Sequence, residues 1–572
     1  MVDQHQLEVK PQAVVRVTNL PNNPAVVRTR VPGSEDVGRL VSMTGTVIRT
    51  GMVKMMETHR AFTCAKCRGC FNVAAEVEQY GYIPRPTRCL AAGEDYCNSA
   101  DFIPASSEQQ QQGCVDYQEI KVQEQVGRLA LGTIPRAIVT ILEGDLVDKA
   151  KSGDSVTVTG TVLLRWRATT VGERPDVALA LRASSVLVHS SDQHSSAATL
   201  QDDNGAEFRH FWASHALAPM RGRDHVVAAM CPGVYGLYYV KLAVLLVLLG
   251  GVMREDAQGM RVRGDMHLLL VGDPGTAKSQ FLKFAARLVP RSVLTTGVGS
   301  TAAGLTVTAV RDGAEWQLEA GALVLADRGI CCIDEFGSVR QAEKATILEA
   351  MEQQSISVAK AGIVCKLNAR CSVLAAMNPR GKYDPHQDLT VNTALSSPLL
   401  SRFDLIMVLL DTQDDEWDAR IADFLLGGPT TNAANDGADD TGVWGFDRLQ
   451  AYVALVKTRI HPTATGPSEQ VLTRYYQLQR QRDSANTART TIRLLESLIR
   501  LAQAHARLMF RSSLRVCDAV MAVVLMESTM LSASVLAPTD ALHSPFPEDP
   551  DAAYALLEKQ VLAQLNLDGL AD

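Results

Sequence analysis

Nine consecutive residues, Gly272, Asp273, Pro274, Gly275, Thr276, Ala277, Lys278, Ser279 and Gln280, have the types and spacing needed to hold a polyphosphate. They follow the apolar run "HLLLVG" and lead into the helix-like "SQFLKFAARL". In a strand–loop–helix context, backbone N–H groups of the loop and the helix N-terminus point at phosphate oxygens. Lys278 would then reach the β- and γ-phosphates, and the Ser279 hydroxyl would hold Mg²⁺. Ala277 stands where the usual pattern has its second glycine. Its methyl is compatible with the loop if the residue takes helical dihedrals, while Gly272 and Gly275 supply freedom where the chain turns. A chance glycine-rich turn would match this motif alone, but the rest of the sheet argues against that reading.

The stretch "GICCIDEF" carries four apolar residues into Asp334 and Glu335. A buried strand of this kind delivers carboxylates to its C-terminal edge, where ligands of parallel sheets bind. Asp334 would contact Mg²⁺ through water, and Glu335 would polarise an attacking water. In "LAAMNPRGKYD", Asn378 ends another apolar run and could orient that water, although Asn-Pro is also a common turn. In "PLLSRFDLI", Arg402 precedes a further strand. An arginine there can serve a neighbouring subunit's nucleotide; a surface ion pair is the competing role. Such a finger accelerates hydrolysis by about 10³–10⁵.

A second cluster has metal-ligand spacing. Cys64-x2-Cys67 is followed by Cys89-x7-Cys97. Two pairs of thiolates can close a tetrahedral Cys₄ zinc site of structural type. The second pair is wide, so Cys70 and Cys114 are rival ligands.

Elements must position these groups. The chain has 572 residues, 46% apolar and 21% charged, a net charge of −7 and a pI near 6.0. This length implies several domains. The mild acidity excludes a surface coated in basic patches, so any nucleic-acid contact must come from local clusters or an assembled channel. Met1–Lys10 is polar and lacks a signal-peptide core. The most apolar run, Leu242–Val252, is too short for a membrane span and reads as a buried helix. The twelve cysteines fit a reducing compartment rather than a disulfide scaffold.

Strand-length runs between turn residues predict a small β-barrel over 1–190, with a zinc-binding insert at about 60–115. A linker at 191–210 precedes an α/β nucleotide-binding domain at 211–426, read from strand–helix alternation. A linker at 427–445, a helical domain at 446–535 and a Pro/Asp/Ala-rich tail at 536–572 complete the chain. "SISVAKAGIVCKL" reads as a hairpin with Lys360 near its tip.

Together "GDPGTAKS", "CCIDEF", "AMNP", "LLSRFDLI" and "TTIRLLESLIRLAQAHARL" resemble the minichromosome maintenance (MCM) family of AAA+ hexameric helicases. The likeness covers residues of the barrel through the helical domain. In that family the phosphate loop often carries alanine before its lysine. The resemblance implies a multidomain fold: an OB-fold β-barrel with a zinc insert, an AAA+ P-loop ATPase domain and a helical lid. It implies ATP, Mg²⁺ and Zn²⁺ as cofactors. It gives Asn378 the role of sensor 1, Arg402 that of the arginine finger and Arg493 that of the sensor 2 arginine. Tyr235 in "CPGVYGLYYVKLA" would lie near the adenine, with a core tyrosine as the competing role.

The resemblance makes the Lys360 hairpin a DNA contact, and Arg311 in "TAAGLTVTAVRDGAEWQLEAG" another. Arg165, Arg167 and Arg174 of a barrel hairpin are further candidates, with solvated surface charge as the alternative. The implied activity is ATP-dependent translocation on single-stranded or forked DNA, without sequence preference and without a membrane. The implied setting is nuclear, in homologous recombination and interstrand crosslink repair. The implied assembly is a hetero-hexamer with minichromosome maintenance protein eight, or a homo-hexamer. A subunit that binds ATP mainly to clamp the ring is the alternative. The family's helical subdomain ahead of the barrel is expected to be absent or trimmed.

Overall fold

The computed structural model describes residues 15–18, 20–21, 23–91, 97, 99–104, 114–125, 134–166, 176–189, 201–255, 261–297, 302–312, 315–360, 363–384, 387, 389–411, 414–427, 444–482, 491–529 and 542–567. The chain divides into two units, Met1–His194 with Thr308–Ala320, and Ser195–Val307 with Gly321–Asp572.

In the first unit, five strands close into a ring: Leu40–Thr50, Ser155–Trp166, Val177–Val188, Ala137–Glu143 and Cys114–Glu124, which pairs back to the first. All neighbours are antiparallel except Val177–Val188 with Ala137–Glu143. Alternation along the strands sends Met43, Val47, Val122, Val158 and Leu181 inward to one core. Glu315–Ala320 extends the sheet beside Leu40–Thr50, with Leu318 opposite Thr50. A separate three-stranded sheet, Cys70–Ala74, His59–Cys64 and Phe102–Pro104, carries the cysteine insert.

In the second unit, five parallel strands run in the order Ser292–Thr296, Ile330–Asp334, Ser372–Met377, Leu268–Gly272 and Leu405–Leu409. The central three are apolar along nearly their whole length, as expected for a sheet covered on both faces. Helix Tyr238–Leu249, which holds all but the last three residues of the predicted run Leu242–Val252, is buried nearly all round. No helix among the described residues is long and apolar enough to cross a membrane.

Two expectations change. Residues 201–210, assigned to the first linker, open helix Gln201–Ser214, and residues 191–200 lie outside the described residues. Part of the expected tail forms helix Pro550–Leu565, which buries Tyr554, Val561, Leu562 and Leu565. Its start is legible in hindsight: the Asp549 side chain caps the helix at Ala552 N, and Pro550 occupies the first turn.

The lid helix Ile492–Leu508 is fastened to the sheet by buried charge. Asp404, just ahead of the edge strand, accepts from Arg500 at 2.6 Å and from the Ser497 hydroxyl at 2.5 Å. Arg263 lies 3.6 Å away, and the His267 backbone N–H donates at 2.9 Å. Burial alone would raise the Asp404 pKa, but Arg500, Arg263 and the Ser497 hydroxyl outweigh it and hold the carboxyl well below its usual range. Burial, helped by Arg263, pushes His267 down to about 3, so this ring is neutral in the fold.

Removing the carboxylate would leave buried Arg500 with only the half-exposed Glu496, 3.5 Å away, as a counter-charge. Asp404→Ala should therefore destabilise this unit by about 3–5 kcal/mol, read as a lowered melting transition. Both depressed groups contribute stability that is full at neutral pH. The contribution of His267 fades as pH falls below about 6.5, and that of Asp404 below about 3.9. Melts across pH 7 to 4 should show the first loss.

Candidate nucleotide site and metal cluster

The phosphate loop joins strand Leu268–Gly272 to helix Lys278–Leu288. Gly272 is required by its neighbour: a Cβ there would lie 2.5 Å from the Leu409 carbonyl oxygen. Gly275 takes φ +94°, a region that side chains disfavour. Ala277 does not keep helical dihedrals. It sits at φ 59°, ψ 12°, the left-handed conformation, and caps the helix. The sequence expectation for its backbone is corrected: the methyl is accommodated at a strain of about 1–2 kcal/mol.

Lys278 is buried within this loop. Its Nζ donates to the carbonyls of Gly272 and Asp273 at 2.9 and 2.5 Å, and to Thr276 Oγ1 at 3.1 Å. Burial pushes the lysine pKa down, and the nearby Asp273 and Asp334 oppose that shift. Thr276 Oγ1 in turn donates to the Asp273 carbonyl, and Asp273 Oδ2 accepts from Asp411 N at 3.1 Å. The loop is thus braced from within and from the end of the edge strand. Pro274, Gly275 and Gln280 are exposed, and Ser279 in the first helical turn is half-buried.

Asp334 ends strand Ile330–Asp334, and its Oδ1 accepts from Glu335 N at 2.9 Å. Glu335 is exposed and left-handed, at φ 52°, ψ 44°. Strain of this kind is found where a side chain must be aimed. Asn378 is exposed immediately after strand Ser372–Met377. That strand lies between the other two, with Val271 opposite Met377 and Ile333 opposite Ala375. Gly272, Asp334 and Asn378 therefore share one edge of the sheet. A lysine, two carboxylates, a hydroxyl and an amide on one edge can bind a metal-bound polyphosphate and activate water beside it. Ser279 and Asp334 have the oxygen chemistry that Mg²⁺ prefers.

Arg402 is placed elsewhere. It precedes Leu405, which pairs with Leu268 at the start of the loop strand. The parallel register puts Arg402 at the opposite edge from Gly272, separated by a strand of five residues, about 17 Å. There it pairs with Glu352, and its Nη1 donates to the Pro398 carbonyl at 2.6 Å. Arg493 donates to the other oxygen of Glu352 at 2.6 Å. A cavity of about 480 Å³ adjoins them, lined by Ser401, Tyr476, Arg480, Thr491, Ile492 and Arg493. Tyr235 is half-buried between Trp417 and Phe424, with ring centroids 5.3 and 5.4 Å away.

Among the DNA candidates, Lys360 closes the ladder of hairpin Ser355–Lys360 and Ile363–Asn368, opposite Ile363. Arg311 lies in strand Val307–Asp312, one residue from its end. Arg167 and Arg174 fall outside the described residues. Arg165 corrects its expectation. It is 4% exposed, paired with Glu119 at 2.9 Å, hydrogen-bonded to the Tyr117 hydroxyl and stacked 3.8 Å over Tyr80. A guanidinium committed in this way is an internal tie of the first unit, not a free phosphate contact.

The sulfurs of Cys64, Cys67, Cys89 and Cys97 lie within 4.8 Å of one another. The Cys64–Cys97 and Cys67–Cys89 separations are 3.8 and 3.6 Å. Disulfides would need about 2.05 Å. A tetrahedral zinc thiolate with bonds of about 2.3 Å has sulfur–sulfur edges of about 3.8 Å, so the four thiols fit Zn²⁺. The Cys67 backbone N–H aimed at Cys64 holds that thiol down at about 6, while Cys67, despite the Gly69 N–H, is pushed up to about 11 by the neighbouring Cys64 and Cys89 sulfurs. Cys70 instead contacts Thr63 at 3.4 Å, and it and Cys114 are exposed outside the cluster. The rivals are set aside.

Comparison with known proteins gives this geometry a family. Profiles described as the MCM OB domain, the MCM P-loop domain and the MCM AAA-lid domain match residues 28–165, 217–428 and 447–530. The chain is 48% identical over 92% of its length to "Probable DNA helicase MCM9" of Arabidopsis thaliana, covering 81% of that protein. It is 34% identical over 91% of its length to "Minichromosome maintenance protein MCM" of Saccharolobus solfataricus, covering 74% of that protein. The likeness to "DNA replication licensing factor Mcm2" of Drosophila melanogaster is 34% over 97% of the chain and 63% of that protein.

The chain belongs to the MCM family.

The MCM P-loop domain supplies the nucleotide edge described above, and the MCM OB domain supplies the barrel. Sequence reasoning passed over Glu352, Asp404 and Arg500. One signal was available: Arg500 follows Arg493 by two helical turns and therefore lies on the same face.

Two substitution series test these local readings. Relief of left-handed strain in Ala277→Gly is partly offset by about 0.4–1 kcal/mol of unfolded-state entropy. That variant should melt at the same temperature or slightly higher, whereas β-branched Ala277→Val should melt lower and bind nucleotide more weakly. Zinc content measured by mass spectrometry should fall in Cys64→Ser and Cys97→Ser, and stay unchanged in Cys70→Ser and Cys114→Ser.

Proposed function

We propose that the chain is an ATP-dependent DNA helicase subunit that works in a hexameric ring. The observation that carries this reading is the placement of Arg402 and Arg493. Arg402 lies about a strand length from its own phosphate loop and Arg493 shares its carboxylate partner, which supports a hydrolytic site completed by a second subunit.

Lys278 and the loop N–H groups would hold the polyphosphate of ATP, and Ser279 with Asp334 would hold Mg²⁺, which neutralises phosphate charge. Glu335 would take the proton of the attacking water while Asn378 orients it. Tyr235 would lie near the base. The neighbour's Arg402 and Arg493 would then meet charge developing on the transferred phosphate. Lys360 and Arg311, each on a hairpin strand, are the proposed contacts to DNA phosphates, binding any sequence. Zn²⁺ would be structural, fixing the insert through Cys64, Cys67, Cys89 and Cys97.

The biological setting we propose is homologous recombination and interstrand crosslink repair in the nucleus. It rests on the sequence resemblance and on similarity to proteins named "Probable DNA helicase MCM9". A hetero-hexamer with minichromosome maintenance protein eight is the proposed assembly, with a homo-hexamer as the alternative outcome.

The test mixes two inactive variants. Lys278→Ala loses its own loop but keeps its arginines, and Arg402→Ala keeps its loop but lacks the finger. Each alone should hydrolyse ATP at least about 10³-fold more slowly than the parent. Mixed, they should regain part of the parental rate, because one class of interface is intact. No recovery in mixed oligomers would contradict a shared site.

A further inference from the structure

Glu352 occupies the last turn of helix Gln341–Gln353, and the Lys360 hairpin begins at Ser355. Its two carboxylate oxygens are divided between Arg402 and Arg493. The Arg402 hydrogen bond is the chief cause holding the Glu352 carboxyl below its ordinary range, with Arg493 adding to it. The same helix end is gripped twice more. Arg263 donates to the Met351 carbonyl at 2.5 Å, and Glu349 accepts from Ser357 N of the hairpin at 3.1 Å.

We propose that Glu352 is a positioning residue that couples the two arginines to the hairpin by competing with the neighbouring subunit's polyphosphate for them. This deepens the shared-site reading and rests on it. Carboxylate and phosphate present the same oxygen geometry to a guanidinium fork. When the arginines turn to a neighbour's phosphate, Glu352 loses both partners at once. A carboxylate left at the negative end of a helix is unfavourable. The last turn then keeps only the Arg263 and Glu349 contacts, and the hairpin that follows within three residues is less firmly held. The path from nucleotide to hairpin is the chain itself.

The experiment uses the full chain in its assembled form. Glu352→Gln keeps the shape of an exposed side chain while weakening both ion pairs, and Glu352→Ala is the second variant. With the competitor weakened, KM for ATP should fall roughly threefold to tenfold, given the partial exposure of the pairs. Stimulation of turnover by an unstructured single-stranded oligonucleotide should fall with it. An unchanged or raised KM with reduced kcat would overturn the proposal and make Glu352 a prop for the arginines. Parental KM and parental DNA stimulation in both variants would also overturn it. Arg402→Ala separates the levels. If that variant retains full turnover, the shared-site reading fails; if it is inactive while Glu352→Gln behaves as the parent, only the coupling fails.

Discussion

The motor unit depends on one buried charge pair. Asp404 and Arg500 are almost fully withdrawn from water and joined at 2.6 Å. Neither charge is tolerable alone in that setting. The pair therefore fixes where lid helix Ile492–Leu508 meets the edge of the parallel sheet. Arg402 stands two residues before Asp404, and Arg493 two helical turns before Arg500. The geometry that ties lid to sheet is thus the geometry that brings Arg402 and Arg493 to one carboxylate, Glu352. Arg507 reinforces the joint by donating to the carbonyls of Leu249, Gly250 and Gly251, the open end of the buried helix.

A parallel sheet has two unlike edges, and this chain uses both. The C-terminal ends of three neighbouring strands gather Gly272, Asp334 and Asn378. The opposite edge carries Arg402. No side chain spans the difference, since an extended arginine reaches only a fraction of a strand length. Polarity of the sheet therefore supports the proposal that hydrolysis takes place between subunits. In the proposed ring, a mildly acidic chain would need only a few cations in the channel to serve DNA.

Much of this was legible in the sequence because it follows from local rules. The phosphate loop, the carboxylate strand and the buried helix Tyr238–Leu249 are written in runs of consecutive residues. The first cysteine pair was equally plain. The second needed three-dimensional closure, because the spacing of Cys89 and Cys97 does not by itself exclude Cys70 or Cys114. Arg165 misled for a related reason. Its pairing with Glu119 and its stacking on Tyr80 join residues far apart in the chain, and no local pattern records them. Ala277 was misjudged in backbone, not in place, since alanine gives no sign of a left-handed conformation. The capped helix Pro550–Leu565 lay behind a composition that suggested a tail.

The central claim is that hydrolysis requires a neighbour. The most direct measurement is the ATP turnover rate per chain across a dilution series that spans assembly, followed alongside sedimentation of the same samples. The account predicts that turnover per chain collapses as the oligomer dissociates, and returns when the chains are concentrated again. A dissociated single chain that hydrolyses ATP at the rate of the assembly would contradict it.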